Sequence, residues 1–154
     1  MLINQSLLDA LATEAAASSR RRKNRNFHLT DDATAHRLLN ALEPDSYVRA
    51  HRHLNPAMAE TIIAVRGRFG VVQFEDSGAV REAVVIAPGG ENIGIDIPSG
   101  TWHTVIALEP GSVFFESKAG PYVPIAEGEK AVWAPAEGEA GANACLARWR
   151  TLFV

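Results

Sequence analysis

The period of the chain changes from helical to alternating as it runs. Near the N-terminus, Leu7, Leu8, Leu11, Ala12 and Ala15 recur at helical spacing, which predicts a short amphipathic helix capped by Ser6 and ending near Ser18. A second helix is predicted after Asp31 or Asp32, with Ala35, Leu38, Leu39 and Leu42 on its apolar face and Pro44 as its stop. From Tyr47 the pattern alternates. Residues 47–53, 61–65, 69–74, 80–87, 93–97, 105–108 and 113–118 read as short strands divided by turns such as Asp76-Ser77-Gly78, Pro88-Gly89-Gly90 and Glu109-Pro110-Gly111. Short strands with Gly and Pro turns at such regular intervals argue for an all-β, two-sheet jelly-roll barrel, with the two small N-terminal helices over one sheet or the barrel mouth. Ala, Glu and Gly dominate residues 127–141, which read as a mobile acidic linker. Leu146, Trp149, Leu152 and Phe153 beyond it are too apolar for a free tail and are expected to pack on the domain or on a second subunit. The expected division is a helical and basic flank at 1–44, a barrel at 45–125, and a linker with an apolar end at 126–154.

Chemistry concentrates in the stretch from His51 to Glu60. Side chains alternate faces along a strand, so His51 and His53 aim two imidazoles at one point. Asn55 and Pro56 let the chain turn and return a carboxylate, Glu60, to the same centre, and His103 after the Pro98-Ser99-Gly100 turn supplies a fourth ligand. Three imidazoles and a carboxylate suit one divalent transition metal, Fe, Mn, Ni, Co, Cu or Zn, and the absence of cysteine argues against a structural zinc site. Arg49 shares the face of the two histidines, where it is either an anion clamp or the partner of a buried acid. Arg66 shares the face of Glu60 if the pairing is regular. Glu116 and Lys118 share a face as a buried ion pair, or Lys118 reaches into the pocket. Trp102 points away from His103 and reads as core or interface before substrate platform. The run Arg20, Arg21, Arg22, Lys23 and Arg25 is either a solvated loop or, with Asn24, Asn26 and His28, a cover for the pocket mouth that holds a phosphate or carboxylate.

These residues carry a resemblance. His51-x-His53, Glu60 and Gly67 resemble the first cupin motif, and Pro98-x-Gly100-x-x-His103 resembles the second, although the gap from His53 to Glu60 is longer than the common pattern, Asp45 stands where a glycine is usual and Ala107 where an asparagine is usual. More narrowly, Arg22-Lys23-Asn24-Arg25-Asn26-x-His28, residues 47–53, Arg66-Gly67-Arg68, residues 100–104 and Gly120-Pro121-Tyr122 are similar to the WbuC family of cupin-fold metalloproteins, over about residues 5 to 136. The resemblance implies a cupin-type double-stranded β-helix, a bound metal and a link to bacterial surface-polysaccharide gene clusters. It implies no particular reaction.

Composition narrows the function classes. A net charge of −3 and an isoelectric point near 5.9 argue against general nucleic-acid binding. The single cysteine, Cys145, permits no intramolecular disulfide, and the start Met1-Leu2-Ile3-Asn4-Gln5-Ser6 has neither the basic start nor the apolar run of a signal peptide, so a cytoplasmic protein outside the membrane is expected. A homodimer is expected from unpaired sheet edges and the apolar C-terminal segment. The functional expectation is a metal-dependent enzyme acting on a small polar or anionic molecule such as a sugar or sugar nucleotide, of isomerase or epimerase type, with Arg49, Arg66, Lys118 and Tyr122 as substrate-binding residues and no catalytic residue assigned. The alternatives are an Fe(II)-dependent oxygenase and a non-catalytic, metal-assisted binding module.

Overall fold

Alternation in the middle of the chain folds as strands. In the computed structural model, which describes residues 1–154, these are β3 (Glu60–Arg66), β4 (Phe69–Phe74), β5 (Val80–Ile86), β6 (Gly94–Ile97), β7 (Trp102–Ala107) and β8 (Ser112–Ala119). With β1 (Arg22–Asn26) and β2 (Ala35–Leu42) they form two antiparallel sheets, ordered β1-β2-β8-β3-β6 and β5-β4-β7. Ile62, Ala64 and Phe114 from the first sheet meet Phe69, Val71, Val105 and Ala107 from the second in one buried cluster, which is the filling of the expected barrel.

The helices are placed differently from the expectation. α1 (Gln5–Ala17) forms where helical spacing predicts it, but Asn4 is its cap, the Asn4 side chain accepting from the Leu7 amide at 3.1 Å. Leu8, Leu11 and Ala15 bury against Leu39, Ala41 and Val113 on the outer face of the five-stranded sheet. That contact explains why residues 35–42, expected as a second helix, are a strand. Leu39 and Ala41 face α1 while Leu38 and Leu42 are buried as well, so β2 is covered on both sides and its apolar positions imitate helical spacing. The second helix lies at the other end of the chain, as α2 (Ala142–Arg150). No helix is long and apolar enough to cross a membrane.

Extended chain around residues 48–54 lies between β7 and the C-terminal region. His51 and His103 exchange backbone N–H···O bonds of 3.0 and 2.9 Å, and on the other edge the Arg52 amide donates to the Glu129 carbonyl and the Ala131 amide to the Ala50 carbonyl. Residues 126–141 therefore run along the barrel as a strap, and their acids, though largely at the surface, take specific partners. Glu129 accepts from the Leu54 and Ala126 amides, and Glu137 takes both Arg20 and Arg22 as partners. Desolvation would raise the Glu137 carboxyl, but the two guanidinium hydrogen bonds win and hold it down to about 2. Beyond the strap, Leu146 and Trp149 of α2 pack with Val72, Phe74, Trp102 and Ile106 on the outer face of the three-stranded sheet, and the Phe153 ring fills the space a side chain at Gly70 would need. The apolar end is seated on its own domain.

Candidate metal centre

Local backbone geometry sets up the cluster. His51 and His53 project from the extended segment to one side, Glu60 opens β3, and His103 faces inward from β7, where its register partner across the sheet is the buried Gln73. Asn55 closes the intervening turn by accepting from the Ala57 amide through its side chain and from the Met58 amide through its carbonyl. Ser99 donates to the carbonyls of His53 and Asn55, tying this loop to the second turn. The long gap before Glu60 is thus absorbed in a compact turn, and the ligand atoms of His51, His53 and Glu60 lie within 4.8 Å of one another. His103 joins through the other carboxylate oxygen, with Nε2 3.1 Å from Glu60 Oε2.

The donor chemistry of these four residues fits a cation. His51 Nδ1 lies 3.0 Å from the Arg49 carbonyl and His103 Nδ1 lies 2.9 Å from the Thr101 carbonyl. A neutral imidazole has one N–H, so donating it from Nδ1 leaves a bare lone pair on Nε2 aimed at the cluster. His103 Nε2 lies 3.1 Å from Glu60 Oε2, and the His53 Nε2 atom sits 2.8 Å from Glu60 Oε1 yet lies outside hydrogen-bond geometry, a buried nitrogen with no hydrogen bond. An unpartnered buried imidazole nitrogen among two further imidazoles and a carboxylate is a donor set that suits a divalent cation. Two electrostatic effects keep the set ready as ligands. Desolvation, reinforced by His103, pushes the His51 imidazolium down to about 3, so the ring is neutral at ordinary pH. For Glu60, desolvation would raise the carboxyl, but histidine contacts and the Lys118 ammonium hold it well below the usual carboxylate range.

The four substrate-binding expectations separate. Lys118 pairs in register with Glu60, and its Nζ lies 2.9 Å from Glu60 Oε1 and 2.7 Å from Glu116 Oε1. The second contact is a close, charge-assisted ion pair within a buried site. Lys118 thus joins both carboxylates in an ion-pair network. It lines a polar cavity of about 400 Å³ together with Tyr122. Arg49 lies on a different cavity, of about 360 Å³, which opens at His51, and its Nε and Nη2 both donate to the Ala131 carbonyl, at 3.2 and 2.8 Å. It anchors the strap. Arg66 is a correction: the register shifts between Ala64 and Arg66, a bulge that turns Arg66 to the outer face, where it ion-pairs with Asp9 of α1 at 2.8 Å. Arg66→Ala is accordingly expected to leave metal content unchanged and to cost less than about 1 kcal/mol, because the pair is solvent-screened; metal analysis and a thermal melt on the same sample check both. Trp102 belongs to the core, with Nε1 donating to Asp76 and the Arg52 guanidinium 4.3 Å from its ring centroid.

Sequence reasoning missed Asn40, Glu116 as a cavity residue, His36 and Gln73. Read as a strand, 35–42 puts His36, Leu38 and Asn40 on one face.

Comparison with known proteins bears on the fold. No curated protein matches the chain in sequence. Among solved structures it is similar to KdgF from Halomonas sp., with 19% identity and a TM-score of 0.53 over 70% of this chain and 85% of that one. It is also similar to a variant of Bacillus subtilis oxalate decarboxylase, with 19% identity and a TM-score of 0.52, and here 71% of this chain spans only 28% of the other. Both are cupin-fold proteins, and likeness at this level of identity establishes the cupin fold. A family model described as a domain of unknown function, DUF6016, matches residues 3–86, more than half of the chain, and the chain belongs to that family.

Proposed function

We propose that the protein is a metal-dependent cupin enzyme in which His51, His53, Glu60 and His103 hold one divalent transition metal beside a polar substrate pocket. The observation that carries this reading is the convergence of three imidazoles on one buried carboxylate, with the His53 Nε2 atom buried and without a hydrogen-bond partner. A metal bound there supplies Lewis acidity toward a substrate oxygen. Lys118 holds the Glu60 carboxylate from the pocket side, and Asn40 holds Glu116 through a 2.8 Å bond from its amide to Oε2. Burial raises the Glu116 carboxyl above its usual range, with the nearby Glu60 charge adding to the effect and the Lys118 ammonium opposing it, and its place on the cavity wall puts a carboxyl where a proton could be exchanged with a ligand. A proton-transferring carboxyl at the pocket wall supports an isomerase or epimerase type of reaction over Fe(II) oxygenase chemistry.

The narrower kinship with WbuC-type metalloproteins and with surface-polysaccharide metabolism is part of the proposal. It is supported by the placement of Asn24, Asn26, His28 and Tyr122, which belong to the motifs carrying that resemblance and line one cavity with Lys118. A cytoplasmic location is consistent with a single, buried, free cysteine. A homodimer is proposed through the sheet edges at β1, β5 or β6, since the apolar C-terminal segment is used within the chain. The test of function is metal analysis of natively purified protein before and after chelation. The expected result is close to one transition-metal ion per chain, removed by chelator and restored by one divalent metal with recovery of thermal stability. Folded protein that carries no transition metal and takes up none would overturn the reading.

A further inference from the structure

The cavity beside Lys118 is built from one face of the five-stranded sheet. Across β1, β2 and β8 the register rows place Asn24 beside Asn40, and Asn26, Leu38 and Glu116 in line, with Lys118 next to His36 one row on. The polar wall is fixed by internal bonds that each leave something over. Asn24 donates to Asn26 Oδ1 at 2.9 Å, leaving Asn24 Oδ1 as acceptor and Asn26 Nδ2 as donor; Asn40 donates to Glu116 Oε2, leaving Asn40 Oδ1 as acceptor, while Glu116 Oε1 faces the Lys118 ammonium at 2.7 Å. His36 is buried, held by the Asp31 carbonyl at 3.1 Å and stacked on His28 with centroids 3.9 Å apart. Tyr122 stands half exposed at the rim.

Charge and hydrogen-bond chemistry define the ligand. Two carboxylate residues, Asp31 and Glu116, line the cavity against one ammonium, Lys118, which is already neutralised by Glu116 and Glu60. A phosphate or carboxylate only accepts hydrogen bonds and would meet Glu116 Oε1 with repulsion; of the nearby cations, Arg20 and Arg22 pair with Glu137, Arg49 binds the Ala131 carbonyl and Arg66 pairs with Asp9, while Arg25 and Arg37 line a separate cavity. A wall that mixes spare donors and acceptors is satisfied by groups that both donate and accept, which hydroxyls do. The volume of about 400 Å³ falls toward the small end of ligand sites, which run from about 300 to 1,000 Å³. We propose that this cavity binds a neutral, polyhydroxylated ring of the size of one sugar unit, with adjacent hydroxyls on the Asn24–Asn26 and Asn40–Glu116 pairs and a ring face against Tyr122. The proposal names the substrate class for the site described above and rests on that reading, with Lys118 as the wall shared by cavity and metal cluster.

The experiment uses full-length protein loaded with diamagnetic Zn(II) and follows the side-chain amide NMR signals of Asn24, Asn26 and Asn40. The probes are neutral hexoses, 6-deoxyhexoses and N-acetylhexosamines, set against D-glucuronate and inorganic phosphate. At least one neutral sugar is expected to shift these signals saturably, and an Asn24→Ala/Asn26→Ala variant is expected to bind it about tenfold more weakly, the loss of one to two hydrogen bonds. The two asparagines are exposed on an edge strand, so the variant keeps its fold, and unchanged Zn(II) content verifies that. Phosphate or glucuronate binding with no neutral sugar binding would overturn the proposal, as would shifts confined to residues outside the cavity. Failure to load Zn(II) strikes the metal reading instead, and the same sugar titration on that protein still decides the cavity.

Discussion

His103→Ala is expected to lower metal affinity by about a hundredfold or more, since even the outer hydrogen-bond partners of metal-bound histidines are worth about 10- to 100-fold. The ring is almost fully buried, its Nδ1 is oriented by the Thr101 carbonyl, and its Nε2 faces Glu60 Oε2. Removing it takes away one of three imidazoles and also the element that links β7 to the cluster. His28→Ala is the matched control, because His28 lies on the sugar-sized cavity and not among the four ligands. Metal titration of the two variants should give a large loss for the first and none for the second. Equal affinity in both would remove His103 from the ligand set.

Trp149→Ala is expected to destabilise the fold by about 3–5 kcal/mol, the usual cost of removing a large buried aromatic. Trp149 is 3% exposed, stacks on Tyr47 with centroids 5.7 Å apart and meets Phe74 at 5.4 Å, so the cavity left behind has rigid aromatic walls and cannot collapse cheaply. Against a total stability of about 5–15 kcal/mol for such a domain, that is a large share. The melting temperature should fall by roughly 6–20 °C at about 2–4 °C per kcal/mol. A change of only a degree or two, or a melting temperature that depends on protein concentration in the wild type alone, would mean that the C-terminal helix covers a neighbouring subunit instead of its own sheet.

The histidines were legible because a ligand pair two residues apart on an extended chain needs nothing but strand alternation, and Glu60 was legible because a turn at Asn55 and Pro56 can absorb an irregular gap. Arg66 was not, since one extra residue at the Ala64–Arg66 bulge reverses every face that follows and leaves no mark in the polarity pattern. Residues 35–42 misled for a different reason: a strand covered on one side by the barrel interior and on the other by α1 loses its alternation. That error hid Asn40 and His36, and with them half of the polar cavity, which only exists once β1, β2 and β8 are paired across long stretches of sequence. The strap at 126–141 was hidden by composition. Acid-rich sequence reads as solvated, and nothing local announces that Glu129 and Glu137 have amides and guanidinium groups waiting on the barrel.

X-ray absorption at the metal edge of natively purified protein tests the central claim most directly. Three imidazole rings and at least one carboxylate or water oxygen around a single ion, with metal–ligand distances of about 2.0–2.2 Å, are the predicted result. A sulfur ligand, fewer than two imidazoles, or a spectrum unchanged in the His103→Ala variant would contradict it.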